Sequence, residues 1–377
     1  MTRPLSGIRV IEMAGIGPAP FCAMMLADMG AEVIRIDRHG DTFLGGGGTV
    51  IERGRRNLIL DLKQDEAKAI VKRLLAQADV LIEPYRPGVM ERLGLGPEDC
   101  WAINPKLVYG RMTGWGQDGP LAKTAGHDIN YIAVSGALHA MGQGDEPPSP
   151  PLHLVGDMGG GAMMLAYGIV CALFESQRSQ KGQVVDAAIT SGASLISTMY
   201  YALMKQGLWN VERDANLLDG GAPFYSCYRC ADGKFIAIGA IEPQFYQLLV
   251  ELCGVQDQAI FQEQMNRALW PQQKQAWAEL FATKTQAQWC EILEGTDACF
   301  SPVLDFNEAV HYAHHQARAS FQQIDDIACP APGPILSRTP ATAGEVHPAG
   351  AHTAAILQSL GYSAEEIQGF RERKVCN

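Results

Sequence analysis

The sequence predicts an α/β protein in two parts, a doubly wound, Rossmann-like large domain and a smaller α+β domain. Three observations carry this. Strand, glycine turn, helix and strand follow one another within the first forty residues, the βαβ grammar of a parallel sheet. Short β-branched runs then alternate with helical text as far as residue 112. Past Gly220 two alternating runs flank Asp232-Gly233, a strong hairpin signal.

In order, Ile8-Arg-Val-Ile-Glu-Met13 reads as the first strand and Gly15-Ile-Gly17-Pro-Ala-Pro20 as the turn. Residues 21–30 form a helix stopped by Gly30, and 31–37 a second strand. A helix over 65–78 and strands at 79–83 and 107–112 continue the pattern. Residues 125–204 are mainly helical and rich in small side chains, with one strand near 184–186. Runs 224–229 and 234–239 form the hairpin, and helices rich in Gln and Trp follow to about 320. A Pro-rich return at 329–334 leads to a last helix near 351–361. The expected large domain is therefore 1–200, rejoined by about 325–377. Residues 201–224 are its linker to the small domain at 225–320.

Composition narrows the class. The chain has 377 residues, 47% apolar and 19% charged, against about 25% charged in average domains. It can bury a large core, which excludes disorder. A net charge of −11 argues against a nucleic-acid partner. Ten scattered cysteines suit reduced thiols in the cytoplasm. No signal peptide is evident at the start. The uncharged stretches 158–174 and 187–204 fall near or below the ~18–20 residues of a membrane span and are diluted by Gly, Ser and Thr. They read as buried helices, with no membrane partner.

Gly15-x-Gly17-x-x-Pro20 with Asp37 nearly matches a dinucleotide fingerprint. Pro18 and Pro20 add bulk and remove N–H donors where phosphates would sit, so a plain βα turn is the better reading. Arginines and lysines crowd the stretch 35–111, and Arg53-Gly-Arg55-Arg56 follows four glycines at 45–48. Such guanidinium groups suit a phosphorylated ligand. Cys227-x-x-Cys230 lies in a hairpin strand without a second ligand pair, and His311, His314 and His315 lack an acidic partner pattern. No metal site is expected. His127 and Asp128 stand side by side before an apolar helical run (132–141), where free N–H groups favour an oxyanion. Asp157, in Leu-Val-Gly-Asp-Met-Gly-Gly-Gly, places a second acid at a helix start.

Together these pieces resemble the family III CoA-transferase superfamily and, within it, the α-methylacyl-CoA racemases. The resemblance spans nearly the whole chain. It rests on Pro4-Leu-Ser-Gly-Ile-Arg-Val-Ile-Glu12, Gly30-Ala-Glu-Val-Ile-Arg-Ile-Asp-Arg38, Tyr85-Arg-Pro-Gly88 with Arg92-Leu-Gly-Leu-Gly96, and Met112-Thr-Gly-Trp-Gly-Gln117. The His127 and Asp157 segments, Gly220-Gly-Ala-Pro-Phe-Tyr225 and Ile238-Gly-Ala-Ile-Glu-Pro-Gln-Phe-Tyr246 add to it. It implies an interlocked homodimer with shared active sites and a CoA-thioester substrate. By position, Arg38, Leu60-Asp61-Leu62-Lys63, Pro84-Tyr85-Arg86 and Arg92 resemble the CoA contacts. Gly126, Asp128, Ile129, Asn130 and Tyr131 resemble the loop that holds the thioester.

Transferase members use the aspartate at position 157 as nucleophile and carry an aromatic residue before position 128. Here that residue is His127, as in the racemases, and Glu242 stands where they place its partner. The expected activity is inversion of the α-carbon of a 2-methylacyl-CoA by 1,1-proton transfer through an enolate. His127 serves one face and Asp157 the other, with Glu242 orienting His127. Coenzyme A enters as part of the substrate, and no metal or redox cofactor is called for. The runner-up is an acyl-CoA:carboxylate CoA-transferase; an NAD-dependent oxidoreductase and a non-catalytic CoA-binding protein are weaker alternatives.

Overall fold

The computed structural model describes residues 2–40 and 49–377. The glycines at 45–48 lie outside the described residues. The first compact unit gathers residues 1–135, 152–196 and 317–377. Its strands are β1 (Arg9–Met13), β2 (Glu32–Asp37), β3 (Arg55–Ile59), β4 (Val80–Glu83), β5 (Val108–Thr113) and β6 (Val184–Ala188). All pair in parallel in the order β3-β2-β1-β4-β5-β6. The chain thus winds outward on both sides of β1, as the alternating strand and helix text predicts.

The helices in order are α1 (Pro18–Asp28), α2 (Asp65–Leu75), α3 (Val89–Arg92), α4 (Pro97–Trp101), α5 (Asp128–Val134), α6 (Met164–Ser179) and α7 (Ile189–Ile196). A π-helical stretch, Leu154–Met163, runs directly into α6. Helix α1 starts three residues earlier than expected. Pro18 and Pro20 occupy its first turn, where a missing N–H costs nothing. Strand β3 was read as a basic phosphate-binding run because Arg-Arg-Asn-Leu-Ile lacks an apolar alternation.

The sheet buries both faces. Ile11, Ile34, Ile36, Leu58 and Leu81 pack with α2 on one side. Val10, Val33, Val80 and Ile82 pack with α1 and α6 on the other. On that second side, near the strand ends, the apolar layer gives way to charge. Glu12 on β1 accepts from Arg35 on β2 (3.1 Å) and Arg55 on β3 (3.0 Å), all three fully buried. Arg35 also meets Asp37 and Glu52. Burial opposes the charge on Arg35, but Glu12, Asp37 and Glu52 together raise its pKa. Desolvation pushes Asp37 and Glu52 up as well, against the pull of Arg35.

The C-terminal segment covers β3, the edge strand. Asn57 donates to the carbonyls of His347 and Pro348, and Gly54 to that of Glu345. This removes an open sheet edge. Two short strands, Phe321–Ile324 and Ile327–Pro330, pair as a separate hairpin. The last helices are Thr353–Ser359 and Ala364–Glu372, the second capped by Ser363 and not foreseen.

The two uncharged stretches depart from expectation. Met163, Tyr167, Val170 and Phe174 form an exposed stripe at helical spacing, and Leu195 and Ile196 are exposed on α7. The continuous helix Leu154–Ser179 is long and apolar enough to cross a membrane by length and composition, with 44% of its most apolar window buried within the chain. Apolar side chains lie on more than one face of the helix, Leu165, Ile169 and Leu173 buried and Tyr167, Val170 and Phe174 exposed.

The second unit gathers residues 136–151 and 197–316. Residues 136–151, read with the large domain, cluster here because Arg213 donates to the carbonyls of His139 and Glu146. The three-stranded antiparallel sheet is β7 (Tyr225–Arg229), β8 (Phe235–Gly239) and β9 (Phe300–Val303). Its helices are α8 (Thr198–Lys205), α9 (Pro243–Leu252), α10 (Trp270–Phe281), α11 (Gln286–Leu293) and two short turns of helix after β9. Trp270, Trp277, Trp289 and Phe281 pack with Phe224 and Tyr246 in one aromatic core. The Gln- and Trp-rich text is therefore core, and each buried indole N–H of Trp270 and Trp289 reaches a carbonyl.

The buried ionic cluster generates a stability prediction. Removing one partner strands the others without water. Glu12→Ala should lower stability by about 3–5 kcal/mol, whereas Arg9→Ala, at the half-exposed pair with Glu32, should cost within about 1 kcal/mol. Urea unfolding of both variants checks the contrast; equal losses would mean the cluster carries no special weight.

Candidate active site

Within the first unit, three segments converge at the C-terminal side of the sheet. The first is the start of α5. His127 is its N-cap in extended backbone and is exposed, and its N–H donates to Asn130 Oδ1 at 3.0 Å. The helix begins at Asp128, inside what the sequence read as a loop. Tyr131 donates to the Gly126 carbonyl and packs edge-on against Trp115, ring centroids 4.8 Å apart. A Cβ at Gly114 would fall 2.0 Å from the Tyr131 ring. Gly114, with Gly126 beside it, thus makes room for the ring that braces the loop.

The second segment is the π-helical stretch bearing Asp157. Its backbone N–H donates to Asp128 Oδ1 at 2.7 Å. A Cβ at Gly156 would lie 2.2 Å from the same oxygen, and one at Gly160 2.6 Å from the Ala193 nitrogen of α7. Glycine is required at both positions for this close approach. Burial first, then the charge of Asp128, pushes the Asp157 carboxyl up to about 6, with His153 and His127 pulling it down. Asp128 is therefore a buried positioning group for Asp157, while Ile129 is exposed and the exposed Asn130 caps the His127 N–H through its Oδ1.

The third segment is the β1–α1 turn. Gly17 adopts φ +69, and a Cβ there would sit 3.2 Å from Asp157 Oδ2. A Cβ at Gly15 would overlap Pro84 at 2.4 Å. The turn set aside as an imperfect nucleotide fingerprint links the Pro84-Tyr85-Arg86 segment to Asp157. Two glycines set against two prolines were the signal available in the sequence.

The basic residues divide by burial. Arg53 is buried and paired with Asp28, Arg55 with Glu12, and Arg56 with Glu32. The expectation that this run meets phosphate is corrected: the desolvated guanidinium groups of Arg53 and Arg55 need a carboxylate and have one, and the partly exposed Arg56 is engaged by Glu32. Arg111 is likewise held by Glu83, Glu91 and Gln117. Among the described residues, Arg38, Arg86 and Arg92 are exposed and make no ion pair. Arg38 acts electrostatically on the half-buried Tyr85, as Arg86 does on Tyr131. Tyr85 N–H donates to Glu83, whose carboxyl burial pushes up to about 7. Leu60 is core, bridged to Cys376, and Asp61 closes a turn onto Lys63 and Gln64, so their side chains are already engaged. Leu62 is half-buried and Lys63 exposed.

Glu242 lies in the second unit. It is exposed and caps α9, whose first turn carries Pro243.

The model of CoA-transferase family III matches residues 5–353. The chain belongs to that family. It is 49% identical to the alpha-methylacyl-CoA racemase of Mus musculus over 96% of this chain and 95% of that protein. It is 46% identical to the alpha-methylacyl-CoA racemase of Homo sapiens, covering 98% of this chain and 97% of that one. A CAIB/BAIF family protein from Brucella suis shares the fold at TM-score 0.80, covering 96% of this chain and all of that chain, at 24% identity.

The Asp128–Asp157 contact predicts a titration. Asp157 should titrate near pH 6, against an ordinary 3.8. Its folded pKa is raised, so ionising it costs stability as pH rises through that window, and Asp157→Asn should remove the loss. Asp128→Asn keeps an acceptor for the Asp157 N–H but deletes the charge, and should move the titration downward. Carboxyl NMR decides; an unshifted Asp157 in Asp128→Asn would refute the coupling.

Proposed function

We propose that this chain inverts the α-carbon of 2-methylacyl-CoA thioesters by 1,1-proton transfer, as an isomerase of the α-methylacyl-CoA racemase type. What carries the reading is near-full-length identity of 46–49% to proteins of that name, together with His127 lying close enough to act electrostatically on Asp157. Inversion needs a base on one face of the α-carbon and an acid on the other. His127 takes one role and Asp157 the other, exchanging with reaction direction. A carboxyl held near 6 is populated in both protonation states close to neutral pH, which suits a group that must give and take a proton. The enolate oxygen lies against the start of α5, where the N–H groups of Asp128 and Ile129 have no partner among the described residues. Glu242 orients His127 and stabilises its imidazolium.

Coenzyme A is held by Arg38, Arg86 and Arg92, with Tyr85 and Lys63 beside them, and enters only as part of the substrate. The active protein is a homodimer with shared sites. Supporting this, Glu242 belongs to a different compact unit from His127 and Asp157, and the exposed stripe on α6 and α7 needs a cover. An active monomer in sedimentation would rule the dimer out.

Incubating one epimer of a 2-methylacyl-CoA in D₂O tests the activity. Racemisation should bring in α-deuterium and yield both epimers with no acceptor acid, whereas a transferase using Asp157 as nucleophile would do neither. His127→Ala and Asp157→Ala should each lose racemisation by at least about 10²-fold. They should retain exchange, if any, from opposite epimers; retention from the same epimer would overturn the two-face assignment.

The division of the arginines predicts a kinetic contrast. Arg38→Ala and Arg86→Ala remove contacts present in ground and transition state alike, and should raise KM more than they lower kcat. Arg53→Ala should instead lower thermal stability with little effect on KM. An unchanged KM in both exposed variants would dismiss the phosphate role.

A further inference from the structure

The Glu242 carboxylate can serve His127 only if its backbone is held, and the sheet does not hold it. The ladder of β8 ends at Gly239, whose N–H donates to the Cys299 carbonyl at 2.8 Å. Residues 240 and 241 then leave the sheet, and α9 begins after Glu242. The carbonyls of Ala240 and Ile241 therefore have neither a strand nor a helix to donate to them, and Ala240 is fully buried. A buried carbonyl without a donor is costly.

Both carbonyls are taken by one side chain. Gln264, itself buried, donates from Nε2 to Ala240 O at 3.0 Å and to Ile241 O at 2.9 Å. Its two amide hydrogens match the two acceptors. A glutamate would offer only acceptors, and an asparagine is one methylene too short to span both from the same backbone position. Gln264 is held in turn. The Trp270 indole N–H donates to its carbonyl at 3.0 Å. The fully buried Gln273 donates to the Ile260 and Glu263 carbonyls, both at 3.0 Å, fixing the loop that bears it.

We infer that Gln264 is a positioning residue for the reaction, clamping the 240–241 backbone so that Glu242 is presented in the orientation it needs. This rests on the role proposed above for Glu242. It also accounts for part of the glutamine-rich text of the second unit, which the catalytic reading does not use.

The test uses the full-length protein and a 2-methylacyl-CoA, comparing Gln264→Met, Gln264→Asn, Glu242→Gln and the Gln264→Met/Glu242→Gln double variant. Misplacing a reacting group by about 1 Å can cost about 10²-fold. Gln264→Met should therefore lower kcat by tenfold or more with KM within about twofold. Gln264→Asn, which keeps one donor contact, should fall between it and wild type, and serves if the methionine variant does not fold. The double variant should be no slower than Glu242→Gln, since the clamp acts only through that carboxylate. Wild-type kcat in folded Gln264→Met or Gln264→Asn, or a further tenfold loss in the double variant, would overturn the inference. A Glu242→Gln enzyme with undiminished racemisation would instead overturn the role of Glu242, and that outcome is read separately.

Discussion

A carboxylate with no access to water must be neutralised where it stands, and Glu12 meets that demand with two guanidinium groups, Arg35 from the adjacent β2 and Arg55 from β3 beyond it. The consequences spread outward. Arg35 and Arg55 are committed to the interior, so β1, β2 and β3 are joined by side chains as well as by their ladder. Arg55 also donates to the Pro20 carbonyl in the first turn of α1. Arg53, anchored on Asp28 at the end of α1, ties the same helix from its other terminus. The turn between β1 and α1, which carries Gly15 and Gly17, is thereby fixed at both ends. Because that turn reaches Pro84 on one side and Asp157 on the other, the charge cluster helps to set where the Asp157 carboxyl stands.

The Asp157 site adds a second layer of the same logic. A π-helical turn widens the backbone spiral and frees hydrogen-bonding groups that a regular helix would use internally. Here the freed N–H of Asp157 finds the Asp128 carboxylate. Glycines at 160 and 192 let this stretch lie backbone to backbone against α7, and Gly156 lets it close on the Asp128 and Ile132 side chains of α5; a Cβ at Gly192 would fall 1.8 Å from the Gly160 carbonyl. The acceptor that orients Asp157 is also a negative charge beside it, so one contact supplies both geometry and raised proton affinity. For the proton transfer proposed above, in which either of two groups holds the proton, that economy is chemically useful.

Much of this was legible in the residues, for identifiable reasons. The parallel sheet followed from strand–turn–helix–strand spacing, because β1, β2, β4 and β5 are buried on both faces and read as apolar runs. The hairpin followed from Asp232-Gly233, where φ +80 at Gly233 is the conformation the dipeptide signals. Strand β3 was not legible. It sits at the edge with Arg55 and Asn57 turned into a polar interior, so neither hydrophobicity nor alternation marks it. The exposed stripe on α6 was missed for the opposite reason: a helix apolar on more than one face reads as buried, and the sequence does not say by what. His127, Asp157 and Glu242 are singled out as a set by the family resemblance alone. Asp128 as the group that orients Asp157, and Gly17 as its neighbour, needed coordinates, since residues 17, 128 and 157 are adjacent only in the fold.

Burial decides what a basic cluster means. Along the chain Arg38, Arg53, Arg55, Arg56, Arg86, Arg92 and Arg111 look alike, and a phosphate reading is open to all of them. In the fold they separate, because a guanidinium removed from water is stable only beside a carboxylate, and one that has found its carboxylate has little left to offer a ligand. The chain provides such partners for Arg53, Arg55, Arg56 and Arg111 and leaves Arg38, Arg86 and Arg92 facing solvent. The overall acidity of the protein therefore does not compete with an anionic substrate at these positions. Many of its carboxylates near the site are spent internally, and the field a phosphate meets there is set by exposed cations such as Arg38, Arg86 and Arg92, which form no ion pair among the described residues.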